Sequence, residues 1–157
     1  MKIEYIHASK SGNGAKVAEE FKKEMVAMGA TVNVHHIRQV KAKALAVADL
    51  YVFSSPGRMG KPIGAMRRFL GNVTLPVGTE YALLSTELGP RRQRTIPIMH
   101  EILDGKGLVK IAEDKVFVAG IKGPLEKGWQ QKVHAFGVRL VAARPELRAT
   151  LEFGRAQ

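Results

Sequence analysis

The chain opens Lys2-Ile3-Glu4-Tyr5-Ile6-His7, continues Ala8-Ser9-Lys10-Ser11-Gly12-Asn13-Gly14, and then runs Ala15-Lys16-Val17-Ala18-Glu19-Glu20-Phe21. Together these three pieces specify a strand, a tight turn and a helix. The first has the apolar content of a strand. From residue 14 to residue 28, Val17, Phe21, Met25 and Met28 fall on one helical stripe, which predicts a helix. Between strand and helix stand only small and polar residues. They let the backbone turn tightly and gather N–H groups at the positive end of the helix, where Ser9, Ser11 and Asn13 can add side-chain donors. That is a cradle for phosphate. It lacks the G-x-x-x-x-G-K-[ST] order of triphosphate loops and the G-x-G-x-x-G of dinucleotide folds, so a phosphate monoester is the expected ligand.

Outward from this segment the same alternation repeats. Residues 31–37 read as a strand, and 50–54, 81–85 and 115–119 are short apolar runs suited to strands buried on both faces. Helical patterns fill the intervals at 63–71, at 95–105 and at 126–144, with a weaker one at 41–48. In the last long helix Trp129, Val133, Phe136 and Leu140 recur at three- and four-residue steps, and Pro145 ends the pattern. Five strands alternating with helices predict a parallel sheet with right-handed crossovers and helices on both faces. Residues 1–144 form the expected domain and 145–157 an expected tail.

A length of 157 residues fits one domain. No apolar run approaches the roughly 18 residues of a membrane span, and the chain does not begin with a signal-peptide pattern. The expectation is therefore a cytoplasmic protein without membrane insertion. Cysteine is absent, which excludes disulfides, thiolate metal sites and cysteine nucleophiles. His7, His35, His36, His100 and His134 are scattered, and the adjacent pair on a strand points to opposite faces, so no metal site is expected. No Ser, His and Asp arrangement sits in a nucleophile elbow, and hydrolysis has no support. The charge is the unusual feature: 25 Lys and Arg against 14 Asp and Glu give a formal +11. Such an excess attracts anions without naming one; no specific nucleic-acid signal accompanies it.

In an open parallel sheet ligands bind at the carboxyl ends of the strands, near the point where strand order reverses. Three segments are expected there: the cradle, Ser54-Ser55-Pro56-Gly57-Arg58-Met59-Gly60-Lys61-Pro62, and Ser85-Thr86-Glu87-Leu88-Gly89-Pro90. S-x-S-G-N-G followed by A-K-V-A-E-E-F resembles the S-x-T-G-N-T phosphate loop and first helix of flavodoxins. The resemblance implies a flavodoxin-like three-layer sandwich with a five-stranded parallel sheet in the order 2-1-3-4-5. It also implies FMN as cofactor, its phosphate held by Ser9, Lys10, Ser11, Gly12, Asn13 and Gly14. Gly14 departs from the family, which has threonine there. Losing a hydroxyl bond to phosphate costs about 1.5 to 3 kcal/mol, with Lys10 able to offset part, and restoring threonine is expected to tighten FMN.

The run P-G-R-M-G, with M-R-R-F-L after it, is similar to P-T-R-F-G and M-K-x-F-L of NAD(P)H:quinone oxidoreductases related to the tryptophan-repressor-binding protein. Met59-Gly60 also resembles the Met-Gly of some short flavodoxins, in which methionine packs on the flavin. The resemblance thus carries Ser55, Pro56, Gly57, Arg58, Met59 and Gly60 to the flavin, and Ser85, Thr86, Glu87 and Gly89 to its pyrimidine edge. Many flavodoxins stack an aromatic residue here, yet no Trp, Tyr or Phe occurs from Ser54 to Pro62 or from Thr86 to Arg94. Such stacking is absent or comes from another subunit. Gly120-Ile121-Lys122-Gly123-Pro124-Leu125 and Phe136-Gly137 resemble the last loop and helix of flavodoxin-like proteins.

Three functions are weighed. The first is an electron carrier that shuttles electrons between redox partner proteins, here acidic ones given the basic charge. The second is an NAD(P)H-dependent quinone or flavin reductase, with Arg58, Lys61, Arg91 and Arg92 drawing in a phosphorylated nicotinamide. The third is a flavin-free domain that binds an acidic macromolecule. Rapid exchange with a redox partner, strong pyridine-nucleotide oxidation, or no flavin affinity selects among them.

Overall fold

The computed structural model describes residues 1–9, 12–89, 93–120 and 122–144. Strand β1 (Lys2–His7) leads into helix α1 (Asn13–Ala27), followed by β2 (Thr31–His36) and β3 (Leu50–Arg58). A two-residue strand β4 (Lys61–Pro62), α2 (Gly64–Asn72), β5 (Glu80–Glu87), α3 (Thr95–Asp104), β6 (Val109–Phe117) and α4 (Trp129–Ala142) complete the order. The five long strands pair in parallel as β2-β1-β3-β5-β6, and β4 pairs antiparallel with β3 alone. Counting the long strands, this is the expected 2-1-3-4-5.

Alternation along the strands divides the core into two layers. Ile3, Tyr5, Val52 and Leu84 face Val17, Phe21 and Met25 of α1 and Val133, Phe136 and Leu140 of α4. Ile6, Phe53, Tyr81 and Leu83 face Met66 and Leu70 of α2 and Ile96, Met99 and Leu103 of α3. These side chains are almost wholly removed from water, each contributing about 1.5 to 3 kcal/mol of transfer free energy. The sheet is thus sandwiched between two helix pairs. The chain leaves β1 toward β2 on one side and reaches β3 on the other, so order reverses between β1 and β3, and their carboxyl ends mark the binding crevice.

Two expectations need correction. Residues 41–48 do not form a helix: only Ala42–Ala44 makes a single 3₁₀ turn. Helix propensity from alanine is outweighed by tertiary contacts, with Leu45 and Ala48 against the core and Tyr51 donating its hydroxyl to the Ala46 carbonyl at 2.6 Å. The last strand spans Val109–Phe117 rather than 115–119. It is an edge strand, with charged residues among its first six, and lacks the continuous apolar run of a strand buried on both faces.

Candidate flavin site

α1 begins at the carboxyl end of β1. Gly12 adopts the left-handed conformation (φ 92°), and α1 has neither a side-chain N-cap hydrogen bond nor an acidic residue in its first turn. Ser9 Oγ accepts the Gly12 N–H at 3.1 Å, and the Ser9 N–H donates to His7 Nδ1 at 3.2 Å. The neck of the cradle is therefore fixed by two short-range bonds. Burial, with the neighbouring His36 adding to it, holds His7 down at about 4, so its imidazole is neutral and free to accept at neutral pH. Gly14 is buried against Ser9: a Cβ there would lie 3.0 Å from Ser9 Cβ and 3.3 Å from its Oγ. A side chain at position 14 would thus press on Ser9. Lys10 and Ser11 lie outside the described residues.

The second segment is not a loose loop. β3 continues through Arg58, and Met59 (φ 53°) and Gly60 (φ 76°) form the tip of a two-residue hairpin, with Gly57 opposite Pro62 and Arg58 opposite Lys61. Positive φ at both central residues is the type I′ signature, the turn whose twist matches flanking strands. The Arg94 N–H donates to the Gly60 carbonyl at 2.6 Å, tying the tip to the start of α3. Met59 is 82% exposed at that tip.

The third segment is also strand rather than loop through Glu87, which pairs β5 with β3 up to Pro56 opposite Thr86. Here the structure holds a feature the sequence concealed. Glu87 is buried, and its carboxylate packs on the backbone of Gly57. A Cβ at Gly57 would be 2.0 Å from Glu87 Oε2, 2.6 Å from its Cδ and 2.7 Å from Thr95 Oγ1. Among the described residues, Glu87 Oε1, Thr95 Oγ1 and Ser85 Oγ find no hydrogen-bond partner.

One cleft of about 230 Å³ joins these pieces, lined by Ser9, Asn13, Gly14, Pro56, Gly57, Arg58, Met59, Ile63, Thr86, Leu88 and Val118. Of the expected residues, Ser9, Asn13, Gly14, Pro56, Gly57, Arg58, Met59 and Thr86 therefore meet. Gly12 and Gly60 adjoin them. Ser55 and Ser85 are buried beside each other in the β3–β5 ladder, Glu87 sits behind Gly57, and Gly89 follows the end of β5. Ile63, Leu88 and Val118 were not singled out; Leu88 lies within the third quoted segment, and Ile63 and Val118 read only as apolar residues of an expected helix and strand. Among the described residues no aromatic side chain lines the cleft. Among the described residues there is no group of three His, Asp or Glu able to hold a metal, and no helix is long and apolar enough to cross a membrane.

No family model matches the chain, and no curated protein matches it. Solved structures do. Flavodoxin 2 from Bacillus cereus is 18% identical with a TM-score of 0.78, covering 90% of this chain and 99% of its own. A flavodoxin from the domain Archaea is 16% identical with a TM-score of 0.73, over 94% and 99%. The fold is flavodoxin-like. A flavodoxin, WrbA-like protein from Agrobacterium tumefaciens is also similar, at 14% identity and a TM-score of 0.64, over 92% and 98%. At these identities the likeness concerns the arrangement of the backbone.

The cradle can be tested directly for its fit to the phosphate of FMN. Among the described residues no side chain caps the start of α1, whose positive end faces the cradle, and the first turn holds no carboxylate to repel an anion. The adjoining cleft offers apolar side chains at Met59, Ile63, Leu88 and Val118 and a hydroxyl at Thr86. A phosphate at one end and a largely apolar ring at the other match this distribution.

Proposed function

We propose that this chain is an FMN-binding electron carrier. The start of α1, with no acidic residue in its first turn and with Asn13 and Gly14 lining the cleft beside the hairpin tip and the end of β5, is the observation that carries the reading. Backbone N–H groups at the start of α1 bind the phosphate, with Ser9 and Asn13 framing it. Pro56, Gly57 and Thr86 would offer backbone and hydroxyl groups to the ring, and Met59, Leu88 and Val118 would offer it apolar contact. FMN when bound supplies the uptake and release of electrons, chemistry that no side chain here provides. The protein's part would be to hold the ring at the strand ends, beside the exposed hairpin, within reach of a partner protein.

Fluorescence titration tests this. FMN emission is expected to be quenched at micromolar protein, riboflavin to bind at least tenfold more weakly for want of phosphate, and FAD to bind less well than FMN. Unchanged FMN emission, with complete loss of flavin on desalting, refutes the proposal. The P-G-R-M-G resemblance favours the reductase as a second reading. Sustained NADPH oxidation by the FMN-loaded protein, with a quinone as acceptor, would select it.

A further inference from the structure

A second, wider cleft of about 550 Å³ shares Arg58, Met59 and Ile63 with the first and is lined also by Lys61, Pro62, Gly64, Arg67 and Arg94. Four of these side chains are cationic and none is acidic. They come from three separate elements: the hairpin, α2 and the residue preceding α3. Among the described residues none of the four enters an ion pair. α2 and α3 both start at this cleft, and neither has a side-chain N-cap bond or an acidic residue in its first turn. The positive ends of two helices thus add to the side-chain charge. The neighbouring carboxylate, Glu87, is buried behind Gly57 and does not line the cleft.

Met59 stands on the ridge shared by the two clefts. Its large apolar side chain projects into water from a left-handed backbone, at a position where asparagine or glycine would be at ease. An exposed apolar point ringed by cations has the anatomy of a transient interface, with an apolar centre and a charged rim. All four cations are exposed on long side chains, an arrangement suited to meeting a broad surface. A site that encloses a small phosphate would instead bury its donors.

We infer that this face docks the acidic surface of an electron-transfer protein, placing the partner's redox group against the hairpin and the flavin cleft beside it. The inference rests on the carrier reading for its purpose, and on the charge and shape of the face for its chemistry. Like-charged rim residues steer encounter and reject basic partners, so the effect falls chiefly on association and on its salt dependence.

A plant-type ferredoxin, which is acidic, and cytochrome c, which is basic, serve as probes. Binding is measured by calorimetry on both the flavin-free and the FMN-loaded protein, from 10 to 500 mM salt. The triple variant Lys61→Gln/Arg67→Gln/Arg94→Gln is compared with Lys22→Gln/Lys23→Gln/Lys43→Gln, whose positions line neither cleft. Ferredoxin binding is expected to weaken at least tenfold across the salt range and at least tenfold in the first variant, with a flatter salt slope. The second variant should stay within twofold of the parent, and cytochrome c should not bind. Equal losses in the two variants would overturn the inference by showing attraction to net charge alone. Tight binding of 2′,5′-ADP that is lost in the first variant would also overturn it, because the cleft would then be a small-phosphate site. Ferredoxin docking that persists in a protein with no FMN affinity would sink the carrier reading and leave the docking face standing.

Discussion

The approach of Glu87 to Gly57 makes a sharp prediction about the floor of the flavin cleft. In Gly57→Ala the new methyl would start 2.0 Å from Glu87 Oε2 and 2.7 Å from Thr95 Oγ1. Ordinary carbon–oxygen contact is above about 3 Å, so the carboxylate must retreat by more than about 1 Å. It is enclosed between β3, β5 and the start of α3, where retreat means distorting a packed layer. Overpacking of this kind costs about 1 to 3 kcal/mol, and the severity of the overlap places the expectation near about 3.

A double-mutant cycle separates the causes. Glu87→Ala removes the carboxylate and leaves room for most of the methyl, so Gly57→Ala in that background should cost about 1 kcal/mol, the remainder arising from Thr95. Glu87→Gln keeps the volume and removes only the charge, and there the full penalty should persist. Urea denaturation followed by circular dichroism measures all four corners. If Gly57→Ala costs the same with and without the Glu87 side chain, the packing of Glu87 on Gly57 is not what requires glycine.

Further expectations concern the cradle and the hairpin. His7 is ordinarily expected near 6.5 but is held at about 4 in the folded chain. The unfolded chain therefore takes up a proton as pH falls through about 6.5 while the folded one does not. Stability should be full above that pH and decline toward pH 4 by about 2 to 3 kcal/mol, a dependence that His7→Gln should remove from urea midpoints measured across this range. Gly14→Thr should weaken FMN in the fluorescence titration, contrary to the family pattern, because its Cβ meets Ser9; in the Ser9→Gly background the same change should tighten it. Met59→Asn should raise stability by about 1 kcal/mol through relief at φ 53°, while weakening flavin binding several-fold by loss of apolar contact, so thermal melts and titrations should move in opposite directions.

The strand–cradle–helix segment was legible because its local signals agree: an apolar strand, small residues at the turn, and a regular stripe on α1. The strand order followed once the flavodoxin resemblance was attached to it. The hairpin was hidden by Met59, since a type I′ turn is ordinarily announced by Asn-Gly or Asp-Gly. Gly57 is required by the approach of Glu87 and Gly60 by turn geometry, neither of which the sequence alone announces. The beginning of β6 was hidden for the opposite reason. Val109-Lys110-Ile111-Ala112-Glu113-Asp114 mixes polar with apolar residues because the strand lies at the sheet edge. At 41–48 local propensity favoured a helix, and tertiary contacts at Leu45, Ala48 and Tyr51 decided otherwise. The burial of Glu87 has no local signal at all; it is produced by strand pairing across thirty residues of chain.

The proposed site would hold FMN in the cleft between the start of α1, the hairpin and the end of β5. A ¹H–¹⁵N correlation spectrum of labelled protein titrated with FMN tests it directly. Saturable shifts are predicted at Ser9, Gly12, Asn13 and Gly14, at Gly57 to Gly60, and at Thr86 to Gly89, with riboflavin reproducing the last two groups but not the first. Shifts confined to the basic cleft around Arg67, or to the β2 edge at His35 and His36, would contradict the account.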